Sequence, residues 1–202
     1  MANERTVCVV DDDPDVRDSL AILLARRFRV QTFESGRAFL DAGVKPRDTC
    51  VLADIRMPEM DGLTLQREIN RTMPGMPVII MTGHGDVPMA VQAMKEGAVE
   101  FLEKPFERAA LLGALENAFS RLAAAPPSPA AVATEAVARR ALTDREKDVF
   151  DLLVEGHQNK VIAHKLGIST RTVEVHRARV MDKLGARSLA DLVRLSLGRG
   201  GS

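Results

Sequence analysis

Short apolar runs alternate with amphipathic helical patterns through the first 122 residues, and this alternation restricts the fold more than any other feature of the chain. Several runs are apolar throughout, which is typical of strands buried on both faces of a parallel sheet. Five strand–helix pairs in succession predict an α/β doubly wound fold with a five-stranded parallel sheet. The predicted strands are Thr6–Val10, Phe28–Phe33, Thr49–Asp54, Pro77–Met81 and Val99–Glu103, and the predicted helices lie near residues 14–26, 35–42, 62–72, 87–96 and 106–122.

The residues that bound these helices agree with the pattern. Asp13 is placed as an N-cap with Pro14 at the first helical position, where a missing N–H costs no hydrogen bond. Pro88 lies near the start of the fourth predicted helix and Gly97 lies just past its end.

The composition changes after residue 122. Residues 123–141 contain Ala-Ala-Ala-Pro-Pro-Ser-Pro and are predicted to be a linker between two domains, 1–122 and 142–202. The second domain shows only helical patterns. Thr143 with Glu146 fits a capping box, and Ser188 with Asp191 is predicted to open the last helix. Four short helices without a strand predict a small all-α four-helix domain.

Charge separates the two halves of a chain whose net charge is zero. Residues 1–122 carry 15 basic and 19 acidic side chains, whereas residues 123–202 carry 13 basic and 9 acidic ones. Only the second half is therefore expected to meet a polyanion. We expect a cytoplasmic protein that does not enter the membrane, because no secretion signal or membrane-length apolar run is present. Cys8 and Cys50, each in a strand-like run, are predicted to be buried thiols.

Polar residues follow the predicted strands at the points where the strands end. Asp11 and Asp12 follow the first strand, and Asp54, Thr82 and Lys104 end the third, fourth and fifth. The carboxyl ends of parallel strands share one edge of a sheet, so these side chains are expected to converge. Carboxylate oxygens without nearby histidine or cysteine favour Mg²⁺. A carboxylate beside Mg²⁺, a hydroxyl and an ammonium favours phosphoryl transfer.

These residues resemble the receiver domains of two-component response regulators over residues 4–122. The resemblance lies in Val9-Val10-Asp11-Asp12, Asp54-Ile55-Arg56-Met57-Pro58-Glu59-Met60-Asp61-Gly62, Met81-Thr82-Gly83-His84-Gly85-Asp86 and Glu103-Lys104-Pro105-Phe106. It implies that Asp54 is the phosphoacceptor. It also implies a Mg²⁺ ion held by Asp12 directly, by Asp11 through water, by Asp54 and by the backbone carbonyl of Arg56.

The same resemblance assigns roles to four further positions. Thr82 and Phe101 are expected to be the switch pair, in which the threonine moves to the phosphoryl group and the aromatic ring turns inward. Lys104 is expected beside the phosphoryl group, and the Lys104–Pro105 peptide bond is a candidate cis bond. Arg56 and His84 are expected to flank the route of the hydrolytic water and so to set the lifetime of the phosphorylated form.

The predicted helix Ser169–Leu184 has two distinct faces. Val173, Val180 and Leu184 form an apolar stripe, with His176 beside them as a packed residue. The opposite face can read the major groove: Arg171, Glu174, Val175, Ala178 and Arg179. A short helix ending at Gly167 gives the spacing of a helix-turn-helix. The candidate phosphate contacts are Lys160, Lys165, Arg177 and Lys183.

Residues 142–197 resemble LuxR-type helix-turn-helix domains, and the whole chain resembles regulators of the FixJ/NarL family, on the FixJ side. The resemblance lies in Leu142-Thr143-Asp144-Arg145-Glu146, Asn159-Lys160-Val161-Ile162-Ala163, Leu166-Gly167-Ile168-Ser169, Thr172-Val173-Glu174-Val175-His176 and Lys183-Leu184. It implies a transcription factor, not an enzyme, that a sensor histidine kinase phosphorylates and that then dimerises. It implies binding to promoter DNA and cooperation with RNA polymerase, usually as an activator. It places Val91 and Lys95 at the dimer interface.

Two other functions remain open on the sequence. A haloacid-dehalogenase-like phosphatase would use Asp11-x-Asp13 with Asp11 as nucleophile, but the Asp54–Gly62 motif would then be unexplained. Alternatively, the helical domain could bind protein instead of DNA, since a basic face is often only a solvated one.

Overall fold

The computed structural model describes residues 5–83, 87–123, 142–186 and 188–197. Its contacts divide the chain into two compact units, Met1–Ala124 and Ala125–Ser202. The predicted linker lies outside the described residues except for Ala123. No helix in the described ranges is long and apolar enough to cross a bilayer.

The first unit is a parallel sheet of five strands in the order β2-β1-β3-β4-β5, which confirms the predicted fold class. Strand β3 lies in the middle of the sheet and every one of its residues is buried, whereas the edge strand β2 is mostly exposed. The strands are β1 (Thr6–Val10), β2 (Arg29–Phe33), β3 (Thr49–Asp54), β4 (Val78–Thr82) and β5 (Glu100–Glu103). The helices are α1 (Pro14–Leu24), α2 (Gly36–Asp41), α3 (Gly62–Thr72), α4 (Val87–Lys95) and α5 (Arg108–Ala123).

The caps of these helices come from short polar side chains. The Asp13 carboxylate accepts a hydrogen bond from the Asp15 backbone N–H at 2.9 Å, and Pro14 occupies the first turn of α1, as predicted. The Asp61 carboxylate caps α3 by accepting from the Thr64 N–H at 2.7 Å. Each helix following β1 and β3 therefore begins close to the carboxyl end of its strand.

Three predicted strands begin one residue before the strands of the structure, at Phe28, Pro77 and Val99, and β4 ends at Thr82 instead of Met81. Phe28 precedes β2 and stacks on Phe119 of α5 with ring centroids 5.6 Å apart, so it is a core residue between elements. Pro77 precedes β4, although its carbonyl still accepts from the Val51 N–H at 2.9 Å. None of these differences removes a predicted strand from the sheet.

Both cysteines are buried free thiols, as predicted. Cys50 lies in the core between the sheet and helices α1 and α5. Cys8 lies between Val7 and Val9 on β1, and those two valines belong to that same core, so the alternation of a strand points Cys8 to the other face. Burial raises the pKa of the Cys8 thiol to about 12 and raises that of Cys50 further, so neither ionises near neutral pH.

The second unit contains four described helices: α6 (Asp144–Val154), α7 (Asn159–Leu166), α8 (Thr170–Leu184) and α9 (Leu189–Leu197). Thr143 and Glu146 form the predicted capping box. Ser188 and Asp191 exchange the equivalent pair of hydrogen bonds at 3.0 and 3.1 Å before α9. Between α7 and α8, Gly167 has φ of 66°, a left-handed conformation that favours glycine.

The core of the second unit lies where the helices meet. It contains Leu142, Val149, Phe150, Leu153, Ile162, Ala163, Val173, Val180 and Leu192. Val173 and Val180 are the buried stripe of α8 that the sequence predicts, and His176 is half-buried. The short helix α7, a tight turn and the longer helix α8 therefore form a helix-turn-helix.

Candidate functional site

Hydrogen bonds between the ends of the parallel strands assemble the acidic site. The Ile55 N–H donates to the Met81 carbonyl at 2.8 Å, and the Lys104 N–H donates to the Thr82 carbonyl at 2.7 Å. These bonds hold the carboxyl ends of β3, β4 and β5 in register, so that Asp54, Thr82 and Lys104 lie on one edge of the sheet.

The Lys104 ammonium bridges two buried carboxylates. Its Nζ lies 2.8 Å from Asp11 Oδ2 and 2.5 Å from Asp54 Oδ1. The Asp11 and Asp54 side chains are 2% and 11% exposed, and the Lys104 side chain is 28% exposed. The ammonium is therefore the counter-ion of two carboxylates that would otherwise repel each other in a poorly solvated pocket.

The pKa values of this pair follow from burial and contact. Burial raises the pKa of Asp54, and the hydrogen bonds from the Lys104 ammonium and the Arg56 backbone N–H oppose that rise without cancelling it. Burial alone would lower the pKa of Lys104, but its hydrogen bonds to Asp11 and Asp54 outweigh this and raise it. Lys104 is therefore firmly cationic at neutral pH.

Asp11 is fixed by hydrogen bonds at both carboxylate oxygens and at its carbonyl oxygen. Its Oδ2 accepts from Lys104, its Oδ1 accepts from the Asp13 backbone N–H at 3.0 Å, and its carbonyl oxygen accepts from Arg17 Nη1 at 2.7 Å. Asp12, by contrast, is exposed. Within the described ranges, no three histidine, cysteine, aspartate or glutamate side chains are placed to hold a metal ion together. The structure thus joins Asp11, Asp54 and Lys104 and leaves Asp12 outside their cluster.

Both members of the predicted switch pair are buried. Thr82 is fully buried, and its Oγ1 donates to the Gly83 carbonyl at 3.3 Å. Phe101 is 8% exposed, so its ring already packs inside. Arg56 is exposed beside the site, whereas His84 lies outside the described residues. The Lys104–Pro105 peptide bond is cis, as predicted.

Gly62, at the start of α3, positions the end of β3. A Cβ at this glycine would lie 2.4 Å from the Asp54 carbonyl oxygen and 3.0 Å from the Ile55 Cα. The sequence motif contains Gly62, but only the structure shows why a side chain is excluded there. Arg17 was not among the predicted site residues, because an arginine four residues into a helix gives no sequence signal of a backbone contact.

The predicted reading face of α8 is exposed. Val175 is 45% exposed although it is apolar, and the other members of this face are also exposed: Arg171, Glu174, Ala178 and Arg179. An apolar side chain beside two arginines and a carboxylate can contact base edges in a major groove. These exposures are compatible with the predicted DNA contacts.

The predicted phosphate contacts have different surroundings. Lys160 and Lys165 are exposed on α7, with Lys165 Nζ 2.6 Å from His157 Nε2, and Arg177 is half-buried. Lys183 donates to the buried Glu146 carboxylate at 2.7 Å. This ion pair joins the end of α8 to the start of α6 and gives Lys183 a structural role, so we leave it out of the proposed DNA interface.

The predicted dimer interface needs a correction. Val91 is only 2% exposed, because it lies on the face of α4 that packs into the receiver core, and it therefore cannot be a surface contact of this protomer. Lys95, at the end of the same helix, is exposed. Helix α4 is apolar on most of its positions, so its pattern did not show which face is buried.

Comparison with known proteins identifies both units. The family model for the response regulator receiver domain matches residues 7–116, and that for bacterial regulatory proteins of the luxR family matches residues 140–196. The chain is 48% identical over 198 residues to the transcriptional regulatory protein FixJ of Azorhizobium caulinodans, covering 98% of this chain and 94% of that protein. It is 45% identical to FixJ of Rhizobium meliloti, covering 96% of each.

Comparison with solved structures also finds a FixJ protein. Full-length FixJ from B. japonicum matches with a TM-score of 0.56 at 44% identity, covering 98% of both chains. The relatives are transcriptional regulators, so neither a haloacid-dehalogenase-like phosphatase nor a protein-binding helical module is favoured. A receiver unit followed by a helix-turn-helix unit, each matched by its family model, shows that this chain belongs to the response regulators with a LuxR-type DNA-binding domain and is a FixJ-like transcriptional regulator.

Proposed function

We propose that a sensor histidine kinase phosphorylates Asp54, and that this modification controls binding of the α7–α8 helix-turn-helix to promoter DNA. The observation that carries the proposal is the contact of one ammonium, that of Lys104, with the carboxylates of Asp54 and Asp11 at the end of the central strand. The ammonium opposes the rise in the Asp54 pKa that burial causes, and it supplies positive charge where a phosphoryl group would arrive.

The chemistry is a single phosphoryl transfer. A carboxylate oxygen of Asp54 forms a bond to phosphorus, and the bond from phosphorus to the donor breaks, with its electron pair leaving on the donor. Lys104 then shifts part of its contact from the carboxylate to the phosphoryl oxygens, since an acyl phosphate carries its negative charge there. The Arg56 N–H, already 2.7 Å from Asp54 Oδ2, keeps the carboxyl group oriented.

A divalent cation fits the donor set. Receiver domains generally bind Mg²⁺ in their acidic pocket, and the oxygens present here are hard donors: the carboxylates of Asp11, Asp12 and Asp54 and the backbone carbonyl of Arg56. Bound Mg²⁺ would neutralise negative charge on the incoming phosphoryl group. The proposal requires the exposed Asp12 side chain to turn towards the pocket.

The response to phosphorylation is proposed to pass through Thr82 and Phe101. The Thr82 hydroxyl bonds only weakly to the neighbouring carbonyl at 3.3 Å, so a phosphoryl oxygen is a better acceptor for it. Movement of Thr82 changes the packing around Phe101 and hence the surface of α4 and β5. That surface, with Lys95 exposed on it, is the proposed contact between two phosphorylated chains.

Dimerisation would place two α8 helices on one DNA duplex, raising affinity through avidity. The proposed DNA contacts are Lys160, Lys165, Arg171, Glu174, Val175, Arg177, Ala178 and Arg179. We further propose that the regulator acts in the cytoplasm, contacts RNA polymerase at its promoters, and has no enzymatic turnover except slow hydrolysis of its own aspartyl phosphate.

The test is the intact mass of the protein after incubation with Mg²⁺ and acetyl phosphate. The wild type is expected to gain one phosphoryl group and Asp54→Asn none, whereas Asp41→Asn, which changes an exposed aspartate on α2, is expected to behave as the wild type. Hydrolysis of the donor that persists in Asp54→Asn and disappears in Asp11→Asn would contradict the proposal and favour a phosphatase.

Two substitutions on α8 distinguish a residue that contacts DNA from a residue that stabilises the fold. Arg179→Met is expected to weaken operator binding by about 1–3 kcal/mol if it contacts a base, or to reduce the salt slope by about 0.9 if it contacts one phosphate, without changing thermal stability. Lys183→Met is expected to lower the unfolding midpoint of the second unit by several degrees, because it leaves the buried Glu146 carboxylate without its cation.

The pH dependence of the unfolding midpoint in Lys183→Met provides a second measurement. The hydrogen bond from Lys183, with that from the Thr143 N–H, holds the pKa of Glu146 at about 2, below its usual 4.5. The contribution of the ionised Glu146 carboxylate to folding stability is therefore complete above pH 4.5 and is lost as pH falls through 2. Lys183→Met should flatten this dependence, measured as unfolding midpoint against pH. An unchanged midpoint with weakened DNA binding would restore Lys183 to the interface.

A further inference from the structure

We infer that Arg17 is a positioning residue for the metal site: its guanidinium holds the peptide between Asp11 and Asp12 and so directs the Asp12 carboxylate. The inference rests on the proposed function, because it concerns the Mg²⁺ ion proposed to bind there. Arg17 lies on α1, it is half-buried, and its Nη1 donates to the Asp11 carbonyl oxygen at 2.7 Å.

The peptide plane transmits the effect of this contact. The carbonyl of Asp11 is rigidly coplanar with the N and Cα atoms of Asp12, so fixing its oxygen restricts the direction in which Asp12 projects. The Asp11 side chain is independently fixed through Lys104 and the Asp13 N–H. With both sides of the peptide held, the backbone at Asp12 has little freedom to rotate.

Asp12 depends on its backbone for its position. Its side chain is exposed, and no hydrogen bond or ion pair joins it to another residue in the ranges that the structure describes. The other proposed protein ligands, Asp11 and Asp54, are fixed by side-chain contacts of their own. Loss of the Arg17 contact should therefore act mainly on Asp12, by increasing the number of conformations that must be lost when the metal binds.

The sign of the effect distinguishes positioning from charge. Arg17 is a cation near an acidic pocket, so removing its charge alone would strengthen Mg²⁺ binding through reduced repulsion. Removing its hydrogen bond alone would weaken Mg²⁺ binding through a less ordered Asp12. An apolar substitution of similar length therefore gives opposite results for the two roles.

The experiment is calorimetric titration of the full-length, metal-free protein with Mg²⁺. Arg17→Met is expected to raise the dissociation constant about tenfold, the usual effect of losing a group that orients a metal ligand. Arg71→Met is the matched control. It removes an exposed arginine in the last turn of α3 and is expected to leave the dissociation constant unchanged. Unchanged or tighter binding in Arg17→Met would overturn the inference.

Phosphorylation kinetics give an independent readout. With acetyl phosphate, Arg17→Met is expected to need about tenfold more Mg²⁺ for half-maximal rate and to reach the wild-type rate at saturating Mg²⁺. A reduced maximal rate with an unchanged Mg²⁺ requirement would also overturn it. Equal hydrogen-exchange protection of β1 in both proteins checks that Arg17→Met folds.

The two proposals fail in different ways. If the wild type takes up no phosphoryl group at Asp54 and binds no Mg²⁺, the proposed function fails and the inference fails with it. If the wild type does both and Arg17→Met binds Mg²⁺ as well as the wild type does, only the inference about Arg17 fails.

Discussion

Replacing Gly62 by alanine is expected to destabilise the receiver unit by about 3 kcal/mol and to suppress phosphorylation of Asp54. The added Cβ would meet the Asp54 carbonyl oxygen at 2.4 Å and the Ile55 Cα at 3.0 Å. These are backbone atoms of the central strand and cannot turn away as a flexible side chain can. Either α3 moves off the sheet or the end of β3 is displaced, and both change the position of the phosphoacceptor.

Hydrogen exchange of the β3 amides measures the stability part of this prediction, and intact mass after acetyl phosphate treatment measures the functional part. Gly113→Ala is the control. Gly113 is an exposed helical residue of α5 with nothing within 4 Å of its added Cβ, so alanine there is expected to stabilise by about 0.4–1 kcal/mol. Wild-type protection and phosphorylation in Gly62→Ala would show that α3 is not in close contact with β3.

Replacing Lys104 by methionine is expected to lower the free energy of unfolding of the receiver unit by about 3 kcal/mol at neutral pH without Mg²⁺. The substitution leaves the buried carboxylates of Asp11 and Asp54 without their shared cation. Lys45→Met is the control, because Lys45 is an exposed lysine without an ion pair among the described residues and its loss should have little effect.

The deficit in the free energy of unfolding that Lys104→Met causes should depend on pH in a defined direction. Burial already raises the pKa of Asp54 in the presence of Lys104, and removing the ammonium removes the main opposition to that rise. A carboxyl group whose pKa is raised by folding destabilises the fold when ionised, so the deficit grows as pH rises through the folded pKa and shrinks in acid. Mg²⁺ should also reduce it. A deficit independent of pH and Mg²⁺ would mean that Lys104 acts through packing alone.

Much of the receiver fold could be predicted because a parallel sheet imposes its geometry on the sequence. Strands buried on both faces are apolar runs, and their polar neighbours at one edge must converge. This was sufficient to place Asp11, Asp54 and Lys104 together and to anticipate the helix-turn-helix with its exposed Val175. The predicted caps at Asp13 and Thr143 were also confirmed, since capping depends on residues only two or three positions apart.

What could not be predicted depends on contacts between distant residues. Helix α4 is apolar on several sides, so its periodicity did not show that Val91 faces inward. The ion pair of Lys183 with Glu146 was not predicted, because Glu146 is 37 residues away and its spacing indicated only a capping box. The exposure of Asp12 and the backbone contact of Arg17 likewise depend on side-chain directions, which residue spacing does not specify.

The two buried cysteines turn the receiver core into a reporter of its own opening. A thiol reagent reaches Cys50 only when β3 separates from its neighbours, because that side chain is fully buried and its thiol does not ionise in the closed state. The rate of thiol modification therefore measures how often the strand that ends in Asp54 becomes accessible. Comparing this rate with and without the phosphoryl group would show whether phosphorylation changes how often the core opens. The measurement needs no introduced label, which is useful in a chain that contains no tryptophan or tyrosine to give an optical signal.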